Sequence, residues 1–174
     1  MQHKPKLGLQ CQIDFKARVI SGLEDELTAA ISDQLTRVRN DEQINRDALK
    51  TAIKVYVDLG KEGNPLPARL NGAFFWKGTS NLSYYEENFE SKFLILSKSF
   101  FHARANQWNS ECNCESYLNE VNKAITNEET NADFWLEAQT KPKVISICVN
   151  ELITNMADKV VDKEMGVAYF FKQK

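Results

Sequence analysis

His102, Cys112 and Cys114 are the tightest grouping of metal-binding residue types in this 174-residue chain. A structural zinc site needs a full tetrahedral ligand set, and its close cysteine pair normally has about two to four residues between its members. Here Asn113 alone separates Cys112 from Cys114, and the neighbouring Glu111 and Glu115 are placed as solvent-facing acids at a helix start. The grouping therefore reads as two thiols near a turn. Nucleophilic catalysis needs a serine or cysteine beside a base that an acid orients. His3 falls in a polar terminal stretch and His102 on the surface of a predicted helix, neither with such neighbours. Glu86, Glu87, Glu128 and Glu129 come as helix-surface pairs, for which solvation is the expected role. No glycine pattern follows a strand, so a phosphate-cradling loop is not expected. The residues point away from an enzyme, a cofactor or a metal.

The elements that would position these side chains are helices. Ala17, Ile20, Leu23, Leu27, Ile31, Leu35 and Val38 recur every three or four residues, predicting a first helix from Ile13 to about Arg39, bent or delayed at Gly22. Asn45 is a predicted N-cap for a second helix through Leu59, with Leu49, Ile53 and Tyr56 as its stripe and Gly60 closing it in the left-handed conformation. Residues 61–82 form a connection broken by glycine and proline. Its cluster Phe74, Phe75 and Trp76 is expected to tuck under the helices rather than to meet a ligand or partner.

Ser83 and Glu86 have capping-box spacing, and open a third helix to about Trp108 along Phe89, Phe93, Leu96 and Phe100. A fourth runs from about Cys114 to Leu136 through Tyr117, Val121, Ile125, Ala132 and Trp135, with a polar middle from Asn127 to Asp133. A fifth starts at a capping Thr140, takes Pro142 in its first turn, and carries Val144, Cys148, Leu152, Met156 and Val160. Residues 1–12 read as a flexible lead-in and 163–174 as a tail. Strand alternation of useful length is missing, so the expected class is all-α.

Composition agrees. Hydrophobic residues at 43% and charged residues at 26% suit a packed domain rather than a disordered chain. Basic and acidic residues, 22 and 24, nearly cancel, so nucleic acid and anionic membranes are not the expected partners. No apolar run is long enough to cross a bilayer, and the polar start lacks the core of a signal peptide. The expected location is cytoplasmic or nuclear, with the four cysteines as free thiols.

The run Tyr85-Glu86-Glu87-Asn88-Phe89-Glu90-Ser91-Lys92-Phe93-Leu94 resembles the opening of a cullin repeat. Other pieces resemble the family in the same order: Leu35 to Arg39, Glu42 to Lys50, Tyr56 to Gly60, Phe100-Phe101, Tyr117-Leu118, Glu128-Glu129, Trp135-Leu136, Thr140 and Glu151 to Ile153. The resemblance spans about Ile13 to Val161 and, because of the insert before Tyr85, is nearest the cullin-1 branch. It implies an α-solenoid fragment of stacked cullin-repeat helices, about five in number. Residues 13–60 are similar to the end of the first repeat and residues 83–162 to the start of the second.

That resemblance implies a non-catalytic scaffold in a cullin-RING, SCF-like ubiquitin ligase, and a Skp1-type adaptor as partner. In the family the adaptor contacts two helices of the first repeat, and only the later one, Asn45 to Leu59, has a counterpart here. Tyr56 matches a tyrosine that touches the adaptor, although its place on the apolar stripe equally suits the core. The resemblance further implies a partial, weak adaptor site, and no RING partner, since the carboxy-terminal domain has no counterpart. A truncated cullin paralogue without a ligase role, acting as a helical interaction module, is the alternative.

Overall fold

The computed structural model describes residues 21–62, 79–80 and 82–162. Its elements are α1 (Ser21–Arg39), α2 (Arg46–Leu59), β1 (Lys61–Glu62), β2 (Thr79–Ser80), α3 (Ser83–Tyr85), a π-helical segment (Glu86–Glu90), α4 (Ser91–Glu111), α5 (Cys114–Trp135), α6 (Thr140–Leu152), a 3-10 turn (Thr154–Met156) and α7 (Ala157–Val161). The chain is all-α, as its periodicity implies. Among the described residues the β structure is one antiparallel contact, Lys61 opposite Ser80 and Glu62 opposite Thr79, which pins together the two ends of the connection. The expected start of the first helix before Ser21, the aromatic cluster Phe74 to Trp76 and the tail lie outside the described residues.

Local chemistry explains where the helices stop. At the end of α1 the N–H of Glu42 donates to the carbonyl of Arg37 and that of Asp41 to Val38, the double closure of a Schellman motif. The left-handed position of that motif usually takes glycine; here it is Asp41, at φ 60°. Asn45 caps α2 as expected, its side chain accepting from the N–H of Ala48 at 3.0 Å. Three expectations are corrected. Gly60 closes α2 in the right-handed region, at φ −82° and ψ −9°, with its N–H reaching Asp58 and Val57 carbonyls. Ser83 is not the cap of the third helix: Leu82 is, and it makes no side-chain cap bond. Thr140 is likewise the first residue of α6, completely buried, with Gln139 before it. The fifth helix also stops at Leu152, and a 3-10 turn carries the chain into α7.

Two compact units share the chain, one from residues 1–34 and 45–91, the other from 35–44 and 92–174. In the first, α2 buries Leu49, Ile53, Tyr56, Val57 and Leu59, and the third helix contributes Tyr85 and Phe89. Tyr56 packs on Phe89 with ring centroids 5.5 Å apart and stacks on Tyr84 at 6.3 Å. In the second, Phe101 and Ala105 of α4, Cys114, Tyr117 and Val121 of α5, and Cys148 and Leu152 of α6 form one core with Met156 and Val160. Each large apolar side chain so buried stabilises by about 1.5–3 kcal/mol before the entropy of ordering it is subtracted.

The phenol of Tyr117 ties that core to the end of α6. Its hydroxyl donates to the carbonyl of Leu152 at 2.6 Å. Burial pushes its ionisation up to about 12. An unfolded tyrosine ionises near 10, so between pH 10 and about 12 only the unfolded chain gains from losing this proton, and stability falls as pH rises through that window. Tyr117→Phe should be less stable than the parent by about 1 kcal/mol at neutral pH and lose less over that window, which urea unfolding at pH 8, 10 and 11.5 would read.

Candidate functional site

Tyr56 is the residue that the cullin resemblance sets against an adaptor. It lies on the inward face of α2 with no exposed surface, its hydroxyl 2.9 Å from that of Thr28. Burial raises its ionisation, which the Thr28 hydrogen bond partly offsets. Of the two roles open to it, burial supports the core one. The outward face of the same helix is polar, with Asp47, Lys50, Thr51, Lys54 and Asp58 exposed.

The second unit holds a polar centre that the helix patterns do not announce. The guanidinium of Arg39, at the end of α1, donates from Nε to Glu128 Oε2 at 3.0 Å and from Nη2 to Glu128 Oε1 at 2.5 Å. Nη2 also donates to Ser97 Oγ at 2.8 Å, and that hydroxyl in turn donates to the Phe93 carbonyl. Both charged side chains are nearly sealed, 7% and 6% exposed. The rings of Phe93, Phe100 and Phe101 surround the guanidinium carbon at 5.4, 5.3 and 4.9 Å from their centroids. An arginine tolerates this setting because its fork matches a carboxylate while its flat faces rest on aromatic surface. Glu128, expected on the solvated surface, is thus buried, and the polar middle of α5 is partly interior. Its phase shows why: Val121, Ile125, Glu128, Ala132 and Trp135 alternate steps of four and three, which places the carboxylate on the core stripe.

Outside this centre lies a cleft of about 420 Å³ whose lining includes Asn40, Asp41, Arg104, Trp108, Glu120 and Lys123. Lys123 donates to Asp41 at 3.0 Å, and that bond, with the charges of Asp41 and Glu120, raises the lysine's ionisation. Elsewhere, His102 Nδ1 is 3.0 Å from Glu151 Oε2, with Lys98 4.0 Å from the other oxygen. His102 remains largely exposed, 64%, as a helix-surface histidine should. Among the described residues no serine, threonine or cysteine is hydrogen-bonded to either member of this pair. Cys112 is half-buried and Cys114 and Cys148 are buried, and none of the three is in a disulfide. Among the described residues no three His, Cys, Asp or Glu side chains gather as a metal ion would require, and no helix is long and apolar enough to cross a membrane.

The family described as "Cullin alpha solenoid domain" matches residues 1–174. The chain belongs to the cullin family. Among similar cullins, Cullin-2 of Arabidopsis thaliana is 29% identical over 160 residues, 92% of this chain and 19% of that protein. Cullin-3A of the same plant is 25% identical over 82% of this chain and 16% of its own length, and Putative cullin-like protein 2 is 24% identical over 91% and 37%. The chain therefore spans about a fifth of the two named cullins. The expected nearness to the cullin-1 branch is coarser than that: these relatives carry the names Cullin-2 and Cullin-3A, so the likeness is to cullins generally.

Proposed function

We infer that this chain is a non-catalytic scaffold segment of a cullin-RING ubiquitin ligase of the SCF-like kind, working in the cytoplasm or nucleus. The observation that carries the reading is the match of the whole chain to the cullin solenoid family. Within it, α2 supplies part of the surface for a Skp1-type adaptor. The docking residues are on the wet face, Lys50, Thr51 and Lys54, while Tyr56 sets the rotation of the helix from beneath. A helix of this length is about 21 Å long and offers only a fraction of the roughly 1,600 Å² of a standard stable interface, so the affinity is weak. Residues 13–60 act as the end of one repeat and 83–162 as the start of the next.

Calorimetric titration with a Skp1-type adaptor tests this. Binding in the range of about 10 μM to 1 mM is expected, reduced several-fold by Lys50→Glu with Lys54→Glu. Absence of binding at millimolar adaptor overturns it. A second reading, a shortened cullin paralogue serving as a helical interaction module without a ligase role, draws support from one comparison. Nearly the same aligned length is 19% of Cullin-2 but 37% of Putative cullin-like protein 2, so that relative is about half as long.

A further inference from the structure

The cleft beside Arg39 has a charge pattern that its own fold does not use up. Arg39 is neutralised by Glu128, and Lys123 by Asp41. Arg104, half-buried on α4, is different. Its Nη1 donates to the amide oxygen of Gln107 at 3.2 Å and its Nη2 to that of Asn40, and among the described residues no carboxylate pairs with it. Its carbon lies 5.3 Å from the Phe100 centroid and 5.8 Å from that of Trp108, so the guanidinium is held by its faces with donors left at its edge. Glu120, on the same cleft, acts on Lys123 through its charge, while the lysine's hydrogen bond goes to Asp41. Arg104, held by amide oxygens and rings but by no carboxylate among the described residues, and Glu120 thus line one cavity.

We propose that this cleft is a binding site for a partner polypeptide carrying a carboxylate side chain close to a basic one, the carboxylate received by Arg104 and the basic group by Glu120. Trp108 gives the carboxylate's methylene stem an apolar shelf. The volume, about 420 Å³, suits one or two side chains, and the cleft opens to solvent rather than enclosing a small molecule. Counting Glu128, three cations face three anions here, so the site rejects simple polyanions and selects the paired pattern. The site shares no residue with α2 and does not depend on adaptor binding.

The test uses the full chain, labelled with nitrogen-15, and a capped alanine-rich helical peptide with one glutamate and a lysine four residues later. The Trp108 indole N–H, assigned with Trp108→Phe, should shift saturably, with half-saturation in the low millimolar range. Arg104→Gln, and separately the peptide with glutamine for glutamate, should weaken binding about fivefold or more, and Glu120→Gln should abolish the preference for the peptide's lysine. Because the peptide change is read on the unaltered protein, it holds even if Arg104→Gln fails to fold. No shift at about 10 mM peptide, equal binding by folded Arg104→Gln, or an equal response to acetate would overturn the proposal.

Discussion

Glu128→Ala should destabilise the protein by about 3–5 kcal/mol, seen as a large drop in the urea midpoint of the second unit's transition. The substitution leaves the Arg39 guanidinium among three phenylalanine rings with the Ser97 hydroxyl as its remaining acceptor there. Most of the loss is the penalty of a stranded charge rather than the worth of the pair. Removing both charges together, Arg39→Met with Glu128→Leu, should therefore recover most of it, because neither group then has to leave water. Arg37→Ala is the control. Its pair with Glu42 is 2.9 Å long but 42% and 49% exposed, so screening and side-chain entropy leave it at about 0–1 kcal/mol. Equal losses for Glu128→Ala and Arg37→Ala would disprove the buried centre.

Tyr56→Ala should lower the stability of the first unit by about 3–5 kcal/mol, since it empties the space between Tyr84 and Phe89 and removes the hydroxyl contact to Thr28. Tyr56→Phe keeps the ring and loses only the hydrogen bond, for about 1 kcal/mol. The two separate structure from docking. If the tyrosine acts by holding α2 in register, Tyr56→Phe binds a Skp1-type adaptor as the parent does, and Tyr56→Ala loses affinity only as it loses folded protein. A tenfold loss of adaptor affinity in fully folded Tyr56→Phe, by calorimetry at a temperature well below its midpoint, would make the hydroxyl a direct contact.

The helices were legible because burial has a period, which Leu49, Ile53 and Tyr56, and Phe89 and Phe93, keep; two residues expected on these stripes do not, Leu23 at 49% and Leu96 at 45% exposed, and on the third helix Ser97 is buried in place of Leu96. The Arg39 centre was hidden for a related reason. Glu128 keeps the same phase as its apolar neighbours, but residue type says surface, and only the partner 89 positions away makes burial tolerable. Arg39, four residues after buried Leu35, continues its stripe in the same way. Nothing within one helix shows such a pair. Cap residues failed for a local reason. A capping serine must precede the helix in an extended conformation, whereas Leu82, at φ −83° and ψ 1°, is already turning, so Ser83 begins inside the helix. Gly60 could adopt the left-handed region but had no need to, because its N–H finds acceptors without it.

Cys148 sits at the bottom of the second core, and burial, with the charge of Glu128, drives its ionisation far above that of a free thiol. A sulfur that cannot become a thiolate is silent to alkylating reagents until the core opens. Its rate of modification is therefore a native clock for that opening, with half-buried Cys112 as the faster hand against which to set it.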